Sequence, residues 1–423
     1  MPRPHPVGRH VHERVRTRRR RGLRIGGVAA LLAVVGPGVL AGLSDDDPPG
    51  ITTYSKLGAD YGYELIWVVV VATIALIVFH EVAVRTGVVT GKGLMTLVHE
   101  RHGPRTAAAV VGALVVANFG TLCAEFAGLA AGAQLLFGVG RGIAIPIACL
   151  AVALLVLRGS FHRVEHVLLA LSSVFVTYVV AGFLAAPDWG AAARGAVVPS
   201  LPGGRDAILA VVATIGTTLA PWGLAFIQSY AVDKRLKPRD LRFERIDVVT
   251  GAVMTGVIAV FVVVACAATL HVGGIEIDTA GDAASALEPL AGAAASDLFA
   301  VGFIGAALLA IAIVPLSTAY SLAESRGRPA DLDDSFSQAR LFYIGYAVVL
   351  VALPGIPIVP LLYLSQALNA ILLLVILPFI RNLARDPDVM GEHRLGPVAR
   401  IATAATIALV AGSVLVLAWL TIS

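Results

Sequence analysis

Along most of this chain, apolar runs of roughly twenty residues alternate with short polar segments, and the runs show no strand-like alternation. A helix of that length crosses about 30 Å of hydrocarbon. Eleven spans are expected, over 25–60, 64–80, 106–135, 142–157, 164–186, 206–231, 246–272, 295–323, 338–355, 357–379 and 398–421. The first and sixth are broken in mid-span by proline and glycine, at Ser44-Asp45-Asp46-Asp47-Pro48-Pro49-Gly50 and at Thr217-Thr218-Leu219-Ala220-Pro221-Trp222-Gly223. Proline has no N–H, so the carbonyl four residues earlier loses its helical partner. Here those carbonyls belong to Ser44, Asp45 and Thr217.

Paired interruptions at corresponding places in two halves of a membrane protein point to a transporter's binding site. The spacing fits two inverted five-helix repeats, spans one to five and six to ten, with an eleventh helix appended. The first break also carries three carboxylates. An ionisable side chain at membrane depth is expensive and marks an ion path, and a carboxylate beside freed carbonyls suits a hard cation. The competing readings are a solvated turn between two separate helices for residues 45–47, and a plain proline kink at Pro221.

Composition strengthens the membrane assignment. The 423 residues are 57% hydrophobic and 14% charged, with a mean hydropathy of +0.84, whereas soluble domains are about 25% charged. With the N-terminus inside, 28 of the 32 Arg and Lys fall on the cytoplasmic face, leaving Lys56, Arg141, Arg194 and Arg205 outside. The positive-inside rule then sends the C-terminus out. Residues 1–24 read as a basic cytoplasmic tail at the lipid headgroups, and residues 25–423 as one transport domain. The net charge of +4 says nothing of nucleic acid in this setting. Cys123, Cys149 and Cys266 lie within spans and read as small apolar residues. The Arg-over-Lys bias, with abundant Ala, Gly and Val, points to a bacterial inner membrane.

Asp47, directly before Pro48, is the leading cation ligand. Asp45 and Asp46 are expected to line an outer vestibule and concentrate cations there. Glu125, a lone carboxylate within the third span, reads either as lining the pocket or as a buried residue satisfied by its neighbours. Gln366 and Asn369 share a helix face by their spacing. Gln228, Asn118 and Tyr320 read as packing residues, and His80-Glu81 as lying near a cytoplasmic helix end. No HExxH motif is present, and no enzymatic activity or cofactor is expected.

These residues resemble the NRAMP family of divalent metal transporters. Gly36-Pro37-Gly38 followed by Asp47-Pro48 is similar to the family's first-helix GPG and DPGN, and Thr217 to Gly223 falls at its sixth-helix MPHN. Arg85 to Gly91 is similar to the loop between helices two and three. Ser365-Gln366 and Asp388-Val389-Met390-Gly391 resemble the tenth helix and the loop after it. The resemblance implies a LeuT-like fold and a metal site at Asp47, Gly50, Thr217 and Ala220, with Asp45, Asp46, Glu125, Trp222, Gly223 and Gln366 along the pocket or ion path.

The departures narrow the expectation. The DPGN asparagine falls at Gly50, and the MPHN methionine, histidine and asparagine at Ala220, Trp222 and Gly223. Without a soft thioether, the remaining oxygens suit Mg²⁺ or Mn²⁺. Small residues leave room for the water that Mg²⁺ keeps. This combination resembles the NRAMP-related magnesium transporters. Trp222, and Leu122 at the third-helix position where coupled members carry an aspartate, imply transport without proton coupling. The alternatives are a proton-coupled Mn²⁺ or Fe²⁺ importer and an amino-acid transporter of similar architecture. Three carboxylates at the first break oppose an anionic substrate group.

Overall fold

The computed structural model describes residues 37–140, 142–148, 150, 176–288, 292–327 and 358–422. Among them the regular structure is entirely helical. The principal helices are α1 (Pro37–Ser44), α2 (Pro48–Tyr61), α3 (Ile66–Thr90), α4 (Leu94–Phe137), α5 (Val176–Leu184), α6 (Trp189–Val197), α7 (Arg205–Thr218), α8 (Pro221–Asp233), α9 (Leu241–Cys266), α10 (Ala295–Glu324), α11 (Ile358–Arg385) and α12 (Pro397–Ile422). Seven helical stretches among the described residues are long and apolar enough to cross a membrane. The expected span 338–355, the basic tail 1–24 and the first residues of span 25–60 lie outside the described residues, as do about half of spans 142–157 and 164–186.

Both expected breaks are present. In α2, Pro48 and Pro49 occupy the first turn, where a missing N–H costs nothing. The carboxylate of Asp47 caps that turn, its Oδ1 accepting the Gly50 N–H at 2.7 Å. Pro221 likewise opens α8. The half-helix before the first break, α1, packs on α8, the half after the second, and α2 packs on α7. That pairing requires the two broken helices to run antiparallel, with their gaps at one level. Tyr54 ties them together: its hydroxyl lies 3.0 Å from Thr218 Oγ1, and since Thr218 already donates to the Thr214 carbonyl, Tyr54 is the donor.

The broken pair is also the innermost part of the molecule. In the most apolar stretch across α7 and α8, 94% of residues are buried, against 17% in α12. The side chains that α12 leaves exposed, among them Val398, Ile401, Leu415 and Trp419, form a surface suited to lipid. Polar ties fasten the short α1 to α9. Asp247 accepts the Gly38 N–H at 2.6 Å, and Thr255 donates to the Gly42 carbonyl at 2.5 Å. At the basic end of the bundle, Glu324 of α10 accepts Ser229 Oγ of α8 and the Met95 N–H of α4.

Three expectations are corrected. The stretch Arg85 to Thr90 is helix, not loop: α3 continues to Thr90 and stops at Gly91, whose φ of 65° ends it in the left-handed region. That carries α3 ten residues beyond the expected span, because Arg85 can pair with Glu81 on its own helix while Arg245 of α9 bonds the same carboxylate. The third span likewise begins earlier, with Leu94. Its first turns are amphipathic, and they join the apolar part across a bend at Gly103 and Pro104. Finally, His80 lies buried along the length of α3, 1% exposed, and not near the helix end.

Candidate metal-ion site

The first break is not a solvated turn. Asp45, Asp46 and Asp47 are 1%, 1% and 3% exposed, so the outer-vestibule expectation for Asp45 and Asp46 is corrected as well: both are enclosed where the broken helices meet. Asp47 is held by its capping bond. The carboxylate oxygens of Asp45, Asp46 and Glu125 accept no hydrogen bond among the described residues. A carboxylate taken from water without compensation costs several kcal/mol. Such a group persists where an ion, water or proton completes it.

Gly50 shows where oxygens converge. A side-chain carbon built there would lie 2.6 Å from the Asp45 carbonyl oxygen, 3.0 Å from Asp47 Oδ1 and 3.2 Å from Thr217 Oγ1. The missing side chain therefore leaves a niche walled by a carbonyl, a carboxylate and a hydroxyl from both breaks. Thr217 Oγ1 is itself buried and has no hydrogen-bond partner among the described residues. Pro221 has no N–H to return to the Thr217 carbonyl, as the sequence leads one to expect. Three oxygens of mixed type with no sulfur are a hard-cation donor set.

Glu125 of α4 lies beside Asp47, close enough for the two carboxyl groups to act on each other. Gly128, one turn further along α4, makes the approach possible, because any side chain there would collide with the ring of Pro48. The reading of Glu125 as satisfied by neighbouring helices does not hold among the described residues. Gln366 instead sits in a side-chain network: Asn369 donates to it at 3.0 Å and also bonds Thr121 of α4, one turn before Glu125. Gln366 is thus linked to the helix that carries Glu125.

The second break differs in character. Ala220 and Trp222 belong to an apolar cluster with Leu122, Phe126 and Phe226. The Ala220 carbonyl accepts the N–H groups of Gly223 and Leu224, and the Trp222 carbonyl accepts Ser317 Oγ at 2.8 Å. The two positions read as having lost titratable groups, 122 and 222, therefore share one greasy cluster. Gly223 faces elsewhere: a side-chain carbon there would lie 3.7 Å from both Asp45 Oδ1 and His80 Nε2. Sequence reasoning passed over His80. Its signal was a lone imidazole inside a long apolar run, which at membrane depth is functional by default. Among the described residues no group of three or more His, Cys, Asp or Glu side chains forms a metal cluster, so carbonyl, hydroxyl and water oxygens must supply the rest of any coordination shell. Gln228, Asn118 and Tyr320 do pack between helices, bonding the Lys92 carbonyl, Thr318 and Asp233.

The comparisons with known proteins bear on the family and the fold. A divalent metal cation transporter MntH of Burkholderia ambifaria is 33% identical over 289 residues, covering 66% of this chain and 65% of that protein, so the match spans just under two thirds of the relative's length. The MntH of Deinococcus radiodurans is 32% identical over 326 residues, covering 74% of this chain and 73% of its own. Among solved structures, a point mutant of the Eremococcus coleocola manganese transporter superposes with a TM-score of 0.73 at 17% identity, covering 93% of this chain and 88% of its own. MhsT in complex with L-phenylalanine follows at a TM-score of 0.53 and 14% identity, covering 91% of this chain and 98% of its own. At such identities the likeness carries the fold alone, and that fold is the LeuT-like one with its two broken helices. A model of the natural resistance-associated macrophage protein-like family matches residues 38–420, nearly the whole described bundle, and the chain belongs to that family.

Proposed function

We propose that this protein carries divalent metal ions across a bacterial inner membrane, with Mn²⁺ and Mg²⁺ as substrates, by alternating access around the two breaks and without stoichiometric proton coupling. The observation that supports it most directly is the niche at Gly50, where the Asp45 carbonyl, the Asp47 carboxylate and the Thr217 hydroxyl surround one point. Glu125 adds negative charge beside Asp47, and a divalent cation offsets the cost of burying both. The Mn²⁺ part of the reading is supported by the manganese transporter and the MntH relatives. The Mg²⁺ part rests on the donor set: no sulfur and small residues at positions 50 and 220.

The uncoupled reading rests on Leu122 and Trp222, neither of which exchanges a proton near neutral pH. The same argument favours the NRAMP-related magnesium transporters as the branch to which this chain belongs. The distribution of basic residues supports an orientation with the N-terminus in the cytoplasm and the C-terminus outside. Flux into proteoliposomes tests the whole: Mn²⁺, Mg²⁺ and Ca²⁺ are offered separately while lumenal pH is followed. Saturable entry of Mn²⁺ and Mg²⁺ without acidification is expected. A protein that rejects Mg²⁺ refutes that part of the substrate assignment, and acidification that depends on Glu125 replaces the uncoupled reading with the proton-coupled one.

A further inference from the structure

The groups beside Gly223 adjoin the Gly50 niche, since Asp45 turns its carbonyl to Gly50 and its carboxylate to Gly223. Asp45 reaches this place from the first break and His80 from α3, each 1% exposed. Both carboxylate oxygens of Asp45 and Nδ1 of His80 are buried without a hydrogen-bond partner among the described residues. The two side chains approach a single position through Asp45 Oδ1 and the other ring nitrogen of His80, Nε2, each 3.7 Å from the point where Gly223 offers no side chain. The two groups are thus separated by no more than twice that distance, and apart from the glycine's own helix no other described residue comes within 4 Å of that position. Buried polar groups in native proteins find partners. Asp45 Oδ1, Oδ2 and His80 Nδ1 have none among the described residues, which leaves room for an occupant that enters from outside.

We propose that Asp45 and His80 form a second divalent-cation station beside Gly223, holding an ion that keeps part of its water shell. Dimensions favour a hydrated occupant. Metal–water bonds of about 2.1 Å followed by hydrogen bonds of about 2.7 Å place oxygens reached through water roughly 4 Å from the ion. One carboxylate and one imidazole also supply the first nitrogen donor on the route, and imidazole favours transition metals over Mg²⁺. The station lies toward the end of the bundle that carries Arg85, Lys92 and Arg245, since α3 runs from His80 toward Arg85 and Lys92, so an ion leaving Asp47 for that side meets it next. The proposal rests on reading the chain as a cation transporter. It adds a site to that reading.

The test measures Mn²⁺ binding to the purified full chain by equilibrium dialysis, with free ion read by electron paramagnetic resonance. Asp47→Asn removes the charge at the first site and keeps an oxygen to cap α2. One Mn²⁺ per chain is expected to remain bound in this variant. Adding His80→Ala should weaken that binding at least tenfold. Gly223→Ala should do the same by filling the gap, and its new methyl meets only ordinary contacts at 3.7 Å, so this variant keeps the test available even where the His80 change unfolds the protein. Loss of all binding in Asp47→Asn, or residual binding indifferent to both second changes, overturns the station. Failure of the transporter reading looks different: wild-type vesicles would take up no Mn²⁺ at all, whatever the dialysis shows.

Discussion

The two breaks have the same backbone grammar, a helix stopped and restarted by proline, yet they carry opposite chemistry. The first holds three buried carboxylates, two of them without partners among the described residues. The second holds no charge and sets Trp222 and Ala220 into an apolar cluster. The comparison separates two jobs that the site needs. One break supplies charge to draw a cation out of water, and the other supplies a neutral wall, one hydroxyl at Thr217 and an open position at Gly223. A second set of carboxylates on the facing break would add to the burial cost of several kcal/mol for each charge, with one ion to offset them all.

If charge resides in the first break alone, its removal should have the largest effect. Asp47→Ala is expected to abolish saturable Mn²⁺ flux. Alanine also deletes the helix cap, worth about 1 kcal/mol, so Asp47→Asn is the cleaner variant: asparagine caps as well as aspartate and carries no charge. Flux from correctly folded Asp47→Asn at a wild-type level would remove Asp47 from the site. Next comes Gly50→Ala. The added methyl would stand 2.6 Å from the Asp45 carbonyl, and backbone must give way, so a loss of at least tenfold in Mn²⁺ flux is expected. The contrast with Gly223 is instructive, since a methyl there meets nothing closer than 3.7 Å.

Much of this was legible in the sequence, and what was not has a physical reason. Proline and glycine act through the local backbone, so both breaks, and Asp47 at the start of α2, could be read directly from neighbouring residues. The extension of α3 to Thr90 could not, because it depends on Glu81 meeting Arg245 from a helix distant in sequence. Burial is also non-local. Asp45 and Asp46 look like a polar loop in any hydropathy profile, and only the packing of α1 on α8 and of α2 on α7 encloses them. The setting of His80 was missed for the same reason, because the Asp45 carboxylate that shares the space beside Gly223 with it comes from a distant part of the sequence. Asparagine, which the family's DPGN pattern carries at position 50, would not simply restore a ligand there, because the close Asp45 carbonyl means that the change would reshape the break first.

The neutral break should respond more gently. Thr217→Val removes a hydroxyl that has no hydrogen-bond partner among the described residues, so no protein–protein bond is lost and the shape is kept. If that oxygen faces the ion, Mn²⁺ affinity should fall about tenfold, equivalent to roughly 1.4 kcal/mol, with maximal flux retained. An unchanged affinity in the valine variant would mean that the niche at Gly50 is closed by water on that side, and the second break would then contribute shape alone.

The smallest expected effect, and the sharpest test of the difference between the breaks, is a change in preference without a change in charge. Ala220 is 4% exposed and belongs to the apolar cluster with Trp222 and Leu122, so a longer apolar side chain there meets no polar group that it would strand. Methionine adds a thioether, a soft donor that favours Cd²⁺ over Mg²⁺, and its flexible chain adapts to irregular space. Ala220→Met alone, with Gly50 left in place, is therefore expected to raise the Cd²⁺-to-Mg²⁺ flux ratio by a few-fold while Mn²⁺ flux stays near the wild-type level. The direction matters more than the size. A higher ratio would show that the neutral break sets selectivity for a charge supplied from the other side of the gap. A folded, active variant with an unaltered ratio would place selectivity with the oxygens around Gly50, and the first break would then govern both the capture of the ion and its choice.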